Sequence, residues 1–324
     1  MNTAPKSMLA GVTKGPVKRP HFVLLYGVDG VGKSTFGAAA PEPIFLGPED
    51  GLGFLNVAKF PSPNNWTDVL AAVSDLQSED HPYQSLVLDS LDWLEPLLWQ
   101  HICAEHQVNS IEEVGGGFGK GFVFAREQWN EFIKRLMRLR AKMNIVAIAH
   151  AMVKVVNDPS EPEPFDQYRL KLNDKAADLW REASDCVFFA KFDIRVTKKK
   201  GANKARAFGE GARVMYTEHR PAFHAKNRFN LPFQMPLDWD GFIAAVGEVA
   251  AVKSDSADSP AAVSKLLAGH EAAALAFLID SKWLEDGQSI AELPPARRKS
   301  ILARPDAFLK AVADHASPTT ETNE

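Results

Sequence analysis

The sequence predicts an α/β fold: a mostly parallel central sheet with crossover helices, antiparallel strands after it, and a small helical domain last. Three observations carry that prediction. From residue 21 onward, short apolar runs alternate with helix-like stretches, the pattern of strand, crossover and parallel strand. Beyond Phe192 the runs close up into an antiparallel pattern. Beyond a Lys/Ala/Ser/Asp-rich stretch at 252–259, only helical segments follow.

Taken in order, residues 1–20 hold Lys6, Lys14, Lys18 and Arg19 among Pro and Gly and read as a flexible basic arm. The parallel strands are expected at Phe22–Tyr26, Pro43–Leu46, Ser85–Leu88, Asn144–Ala149 and Cys186–Phe192. Between the third and fourth, Trp129, Phe132, Ile133, Leu136, Met137 and Met143 recur mostly at spacings of three and four. That stripe is the core face of a helix. The antiparallel strands are expected at Phe192–Lys198, Ala212–Thr217 and Phe223–Asn227. The core thus spans 21–248, with a linker at 249–260 and a helical domain at 261–316. Helices there are expected at Ala261–Leu267, His270–Lys282, Pro295–Ala303 and Pro305–His315. Leu275, Leu278, Ile279, Leu302, Phe308, Leu309 and Val312 supply their apolar faces. A polar, frayed tail at 317–324 ends the chain.

A length of 324 residues suits about two domains. A composition of 45% hydrophobic and 24% charged residues permits a sizeable core. No apolar run approaches the roughly 18 residues that span a bilayer, and no apolar segment follows the N-terminal basic residues, so a cytoplasmic protein without membrane contact is expected. A net charge of −4 means that any nucleic-acid contact must come from a local basic patch. Cys103 and Cys186 carry no Cys-x-x-Cys spacing and read as buried thiols, and His101, Cys103 and His106 match no metal motif.

The first strand runs into Gly27-Val28-Asp29-Gly30-Val31-Gly32-Lys33-Ser34-Thr35, a full match to the phosphate-binding loop G-x-x-x-x-G-K-[ST]. Gly30 and Gly32 let successive N–H groups turn inward around a phosphate. Lys33 brings a point charge to the β and γ phosphates, Ser34 ligates Mg²⁺, and the helix starting near Gly32 adds its positive end. ATP and Mg²⁺ are therefore the expected cofactors. Hydrolysis also needs an acid at the end of a neighbouring apolar strand, and Leu86-Val87-Leu88-Asp89 supplies it. Asp89 is expected to support Mg²⁺; helix capping is its other reading. A base must orient the attacking water. Glu49, just past the second strand, is expected in that role with Asp50 as the fallback; both also read as solvated loop acids.

This constellation resembles the RecA-like P-loop NTPase core. The resemblance covers roughly residues 20–248. It implies that His150, ending the strand at the position where RecA proteins carry glutamine, senses the γ-phosphate and relays its presence to DNA-binding loops. An ordinary strand-end histidine is the alternative. It implies too that Lys226 and Arg228, in Lys226-Asn227-Arg228 followed by Pro232-Phe233, reach across a subunit interface to a neighbour's ATP. Strand alternation puts both on one face, though solvated cations on an exposed strand fit as well. The family places two mobile DNA-contacting loops beside the sensor strand. Val114–Phe122, with Phe118, Lys120 and Phe122 and with Phe124 beyond, has a composition that stacks on bases and follows a backbone. Residues 151–173 form a long connection with Lys154, Tyr168, Arg169 and Lys171, acidic in its middle at Asp158, Glu161, Glu163 and Asp166. Lys198, Lys199 and Lys200, with Lys204 and Arg206, make a basic turn that reads either as a solvated tip or as a phosphate contact.

The chain looks closer to compact phage and prophage proteins, the single-strand-annealing proteins of the Sak group or AAA-type ATP-binding proteins, which would place a phage-encoded product in the host cytoplasm. The resemblance implies a DNA-stimulated ATPase that binds single-stranded DNA as a filament or ring and promotes annealing or strand exchange. The C-terminal helices suit a protein partner. A helicase or packaging motor of the same fold is one alternative, and a nucleotide-gated adaptor with little turnover is another. A small-molecule kinase is disfavoured, because no lid with clustered arginines follows.

Overall fold

A computed structural model describes residues 12, 19–49, 53–197, 206–208, 211–254 and 260–316. Most of the basic arm, Asp50, the Lys198–Lys200 turn with Lys204, and the tail at 317–324 lie outside the described residues. β1 (Phe22–Gly27) is buried at every position, as a strand covered on both faces must be. It leads through the glycine-rich loop into α1 (Lys33–Ala38). Next come β2 (Pro43–Leu46), β3 (Ala58–Lys59), α2 (Trp66–Ser78), β4 (Ser85–Leu88) and α3 (Leu91–Glu105). α2 starts where the Asn65 side chain accepts the Asp68 N–H at 3.0 Å, a side-chain N-cap.

α4 (Lys120–Leu139) buries Trp129, Phe132, Ile133 and Leu136 on one face, most of the stripe that the spacing predicts; Met137 is exposed instead, and Met143, also buried, lies past the helix. Trp129 packs edge-on against Trp66 at 5.2 Å and Trp180 at 5.4 Å between ring centroids, binding the helices on that side of the sheet together. Truncating any of these rings to Ala would cost about 3–5 kcal/mol. There follow β5 (Asn144–Val156), β6 (Phe165–Leu170), α5 (Asp174–Ala183), β7 (Cys186–Phe192), β8 (Arg195–Thr197), β9 (Arg206–Phe208), β10 (Arg213–Tyr216), β11 (Lys226–Asn227), β12 (Gln234–Pro236) and α6 (Trp239–Ser254).

Among the described residues, ten strands form one sheet along the path β3, β2, β4, β5, β1, β7, β10, β12. The strands from β3 to β7 on this path are parallel, and β10 and β12 extend them in the antiparallel sense. β11 adds antiparallel to the start of β7, and β6 to the far half of β5. The consequence for function lies in the register. β5 sits between β1 and β4, with Gly27 opposite His150 and Leu88 opposite Ala147. The phosphate loop, Asp89 and His150 therefore emerge at one edge.

Three expectations need correction. The long connection at 151–173 is not a mobile loop: β5 continues through Val156 and returns as β6, a hairpin with Val153 opposite Tyr168. The segment Val114–Phe122 is a short 3₁₀ turn at Val114–Gly116 followed by the first turn of α4. Residues 249–254, expected in a linker, are the end of α6.

The chain divides into two compact units, Met1–Ile243 and Ala244–Glu324. The second contains α7 (Pro260–Leu266), α8 (Glu271–Asp280), α9 (Pro295–Ala303) and α10 (Pro305–Ala316). Leu278, Phe308 and Val312 lie in its own apolar core, with Leu275, Ile279, Leu302 and Leu309 partly buried against them. Among the described residues no helix is long and apolar enough to cross a membrane.

Candidate active site

Lys33 is buried, and its ammonium donates to the carbonyls of Gly27 at 3.3 Å and Val28 at 3.1 Å. Burial holds it below the ordinary lysine value, while Asp29, Asp89, Glu49 and Asp92 work in the opposite direction. It forms no direct ion pair among the described residues. Gly30 and Gly32 take positive φ of 69° and 101°, the left-handed backbone that an inward-turning loop requires. α1 has six residues, so a helix dipole adds little, and the anion site rests on Lys33 and the loop N–H groups.

Asp89 follows β4 directly and is 4% exposed. Burial raises its carboxyl to about 6; a Ser34 hydrogen bond opposes the rise and Glu49 adds to it. Glu49 is brought here because β2 and β4 close tightly at their ends: a Cβ on Gly47 would stand 1.8 Å from the Asp89 carbonyl oxygen, so only glycine fits. Ser90 then donates its hydroxyl to Glu49 Oε2 at 3.2 Å, which aims that carboxylate. The Asp89–Ser90 peptide bond is cis.

His150 stands beside this group, held by a residue that sequence reading missed. Asp92, in the first turn of α3, accepts the His150 backbone N–H at 2.9 Å and pairs with its Nδ1 at 2.9 Å. His150 Nε2 lies 3.8 Å from Asp29 of the phosphate loop. The Asp92 hydrogen bond raises the imidazole above its ordinary value against the effect of burial. One turn further along α3, the buried Glu95 accepts the Asn173 N–H at 3.0 Å, just before α5. Burial pushes Glu95 up to about 7, with Asn173 opposing. α3 therefore grips both β5 at His150, which lies mid-strand and not at the expected strand end, and the exit of its hairpin. The signal for Asp92 was an acid three residues past Asp89; Glu95 carried none.

These residues fit a magnesium nucleotide. Asp89 is a buried carboxylate beside a hydroxyl and a second acid, a set that a divalent cation would relieve. Among the described residues no three His, Cys, Asp or Glu side chains are arranged to hold a metal alone. Ser34 and Asp89 would hold the ion together with the nucleotide's own oxygens.

Lys226 and Arg228 lie at the opposite edge, where β11 pairs with Cys186 and Val187 at the start of β7. Lys226 Nζ donates to the carbonyls of Arg181 at 2.8 Å, Glu182 at 3.0 Å and Ser184 at 2.8 Å, closing the C-terminus of α5. Arg228 reaches Asp185 at 3.4 Å and is half-exposed. Neither can serve its own chain's phosphate loop.

The residues expected on DNA divide likewise. Phe118 is fully exposed with φ 55°, and Lys120 folds back onto the Gly115 carbonyl at 3.0 Å. Phe122 is no free stacking platform: it sits in α4, edge-on to Trp99 at 5.5 Å. Lys154 is paired with Asp174 at 2.7 Å, and Arg169 donates to Gln167 at 2.9 Å.

A family model described as an AAA domain matches residues 19–229, more than half of the chain. The SPbeta prophage-derived uncharacterized protein YorG of Bacillus subtilis (strain 168) is 24% identical over 133 residues. The match spans 40% of this chain and 40% of that protein, so the chain covers less than half of its relative's length.

Proposed function

The chain belongs to the AAA-domain family, and on that premise we propose that it hydrolyses ATP and couples the state of the γ-phosphate to binding of single-stranded DNA, in the manner of a RecA-like recombination protein. The observation that carries the reading is the single edge that gathers Lys33, Ser34, Asp89, Glu49 and His150. Magnesium supplies charge neutralisation on the phosphates when bound. Lys33 and the loop N–H groups hold the phosphate chain, and Glu49, aimed by Ser90, takes the proton of the attacking water. His150 donates from Nε2 toward the terminal phosphate. It stands where β5 leaves the parallel sheet for its hairpin, and Asp92 and Glu95 tie both ends of that excursion to α3. A change at the phosphate is thereby passed to β5 and β6.

Single-stranded DNA is supported by the free Phe118 beside a glycine turn and by the prophage origin of the relative. Assembly into a filament or ring is supported by the position of Arg228, at the edge away from its own nucleotide and open to a neighbour's. A second reading, a nucleotide-gated adaptor whose C-terminal helices engage a partner protein, is favoured by the internal pairing of Lys154 and Arg169. Steady-state ATPase assays at low salt, with and without single-stranded DNA, decide. Stimulation supports the recombination reading. Unstimulated turnover without DNA binding in either nucleotide state overturns it and leaves the adaptor.

A further inference from the structure

β10 brings a second cation to the phosphate loop from a distant part of the chain. Arg213, its first residue, pairs with Phe192 of β7, two positions beyond Ala190, which pairs with Gly27 at the start of the loop. The backbone at this point is fixed from both sides. One side is the ladder to β7, and on the other the Leu237 N–H donates to the Arg213 carbonyl at 3.1 Å. Two residues further on, Trp239 packs edge-on to Phe36 of α1 at 5.4 Å, joining the antiparallel extension to the helix that leaves the loop.

The side chain uses this placement. A Cβ on Gly32 would lie 2.8 Å from Arg213 Nη1, so the guanidinium rests against the loop at its last glycine. Along β10, Val214, Met215 and Tyr216 are buried and Arg213 is exposed. Its guanidinium has no ion-pair or hydrogen-bond partner among the described residues, and the loop glycine it rests against precedes the buried Lys33. An arginine without a protein partner, held by a rigid strand against an anion-binding loop, is matched to a ligand that carries several phosphate oxygens.

We propose that Arg213 is a nucleotide-binding residue acting in cis, its guanidinium pairing with the phosphate chain of a nucleoside triphosphate held by the loop. The proposal rests on the nucleotide reading given above and extends it. The chain supplies the second cation itself, so binding does not wait for a neighbour. Gly32 is then required twice, for its φ of 101° and for the room that the guanidinium occupies.

Calorimetric titration of the full chain with ATP and Mg²⁺ tests this, using the wild type, Arg213→Ala, Arg213→Lys and Lys33→Ala. Arg213→Ala is expected to weaken binding about tenfold or more, the loss of a charge-assisted hydrogen bond. Arg213→Lys should recover part of the loss by restoring the charge without the fork, and both variants should keep the wild-type melting temperature. The wild-type Kd should not change on dilution of the protein. Wild-type affinity in Arg213→Ala, with binding lost in Lys33→Ala, would overturn the role of Arg213 and leave the nucleotide site standing. No ATP binding by the wild type would overturn the nucleotide reading and this proposal together.

Discussion

Where the parallel strands begin, Asp185 is buried among protein partners: Arg140, equally buried, Arg19 at 3.5 Å, Arg228 at 3.4 Å and the Phe22 N–H at 3.2 Å. Where the same strands end, Lys33 is as deeply buried, yet among the described residues its hydrogen bonds go only to carbonyls of its own loop, and the Arg213 guanidinium has none. Both edges carry the desolvation cost of buried charge. At one edge other side chains compensate it. At the other, four carboxylates favour the charged lysine without an ion pair to it among the described residues, and a bound anion would add direct contacts. Satisfied charge therefore marks structure, and charge that the fold leaves unmatched marks the site.

The comparison predicts that the two edges respond oppositely to mutation. Asp185→Ala strands the Arg140 guanidinium in the interior and should cost about 3–5 kcal/mol in urea unfolding. Lys33→Ala should lower ATP turnover by about 10²–10³-fold, the scale of losing a donor aimed at developing charge, with the chain still folded. If Lys33→Ala unfolded the protein, or Asp185→Ala left its urea midpoint unmoved, the division between the edges would collapse.

How far each edge could be read from sequence follows from how local its interactions are. The phosphate loop is nine contiguous residues, and five of the six parallel strands are apolar runs, so these were legible, unlike β3, which is only Ala58–Lys59 and carries no such run. The second half of β5 was not. Val153 and Val155 are exposed, at 54% and 69%, and its partner Phe165–Leu170 mixes polar and apolar residues, so the hairpin looks like a loop until the pairing is known. Arg213 depends on the register between β10 and β7, which no linear motif encodes. Phe122, read as a base-stacking ring, packs on Trp99 because the first turn of α4 turns it inward. Lys226 was legible as a strand cation, but the helix end that it closes, 42 to 45 residues earlier, was not.

A smaller effect separates His150 from an ordinary strand-end histidine. Its folded pKa lies above the unfolded value of 6.5, so its contribution to stability is fully present below that value and fades as pH rises through the higher folded one. Burial raises the Asp92 carboxyl, but the His150 hydrogen bonds outweigh it and leave Asp92 below 3.8; its contribution is lost as pH falls through that lower value. The pair is intact between these limits. ATP turnover should therefore fall on the alkaline side of the His150 titration. Asp92→Asn should move that fall to lower pH, whereas His150→Gln, a neutral donor, should remove it. An alkaline limb unchanged in Asp92→Asn, measured as a pH–rate profile, would detach His150 from the phosphate.

The smallest predicted effect bears on the edge where the comparison is most exposed to challenge. Lys226 donates to three carbonyls at the end of α5, and the negative end of that helix accounts for its position without any second subunit. Burial lowers its pKa, and Arg228 nearby adds to the shift. Lys226→Met keeps the aliphatic stem and removes the charge, so it should cost about 0.5–1.5 kcal/mol of stability, the net value of a hydrogen-bonded cap. ATP turnover per chain should stay at the wild-type level at every protein concentration. Arg228→Met should lose about as little stability, because Asp185 retains Arg140 and Arg19. Turnover that rises with wild-type protein concentration and loses that rise in Lys226→Met, with the urea midpoint unmoved, would show Lys226 acting on a neighbour's nucleotide. Lys226 would then join the half-exposed Arg228 in a shared site instead of serving only to close α5.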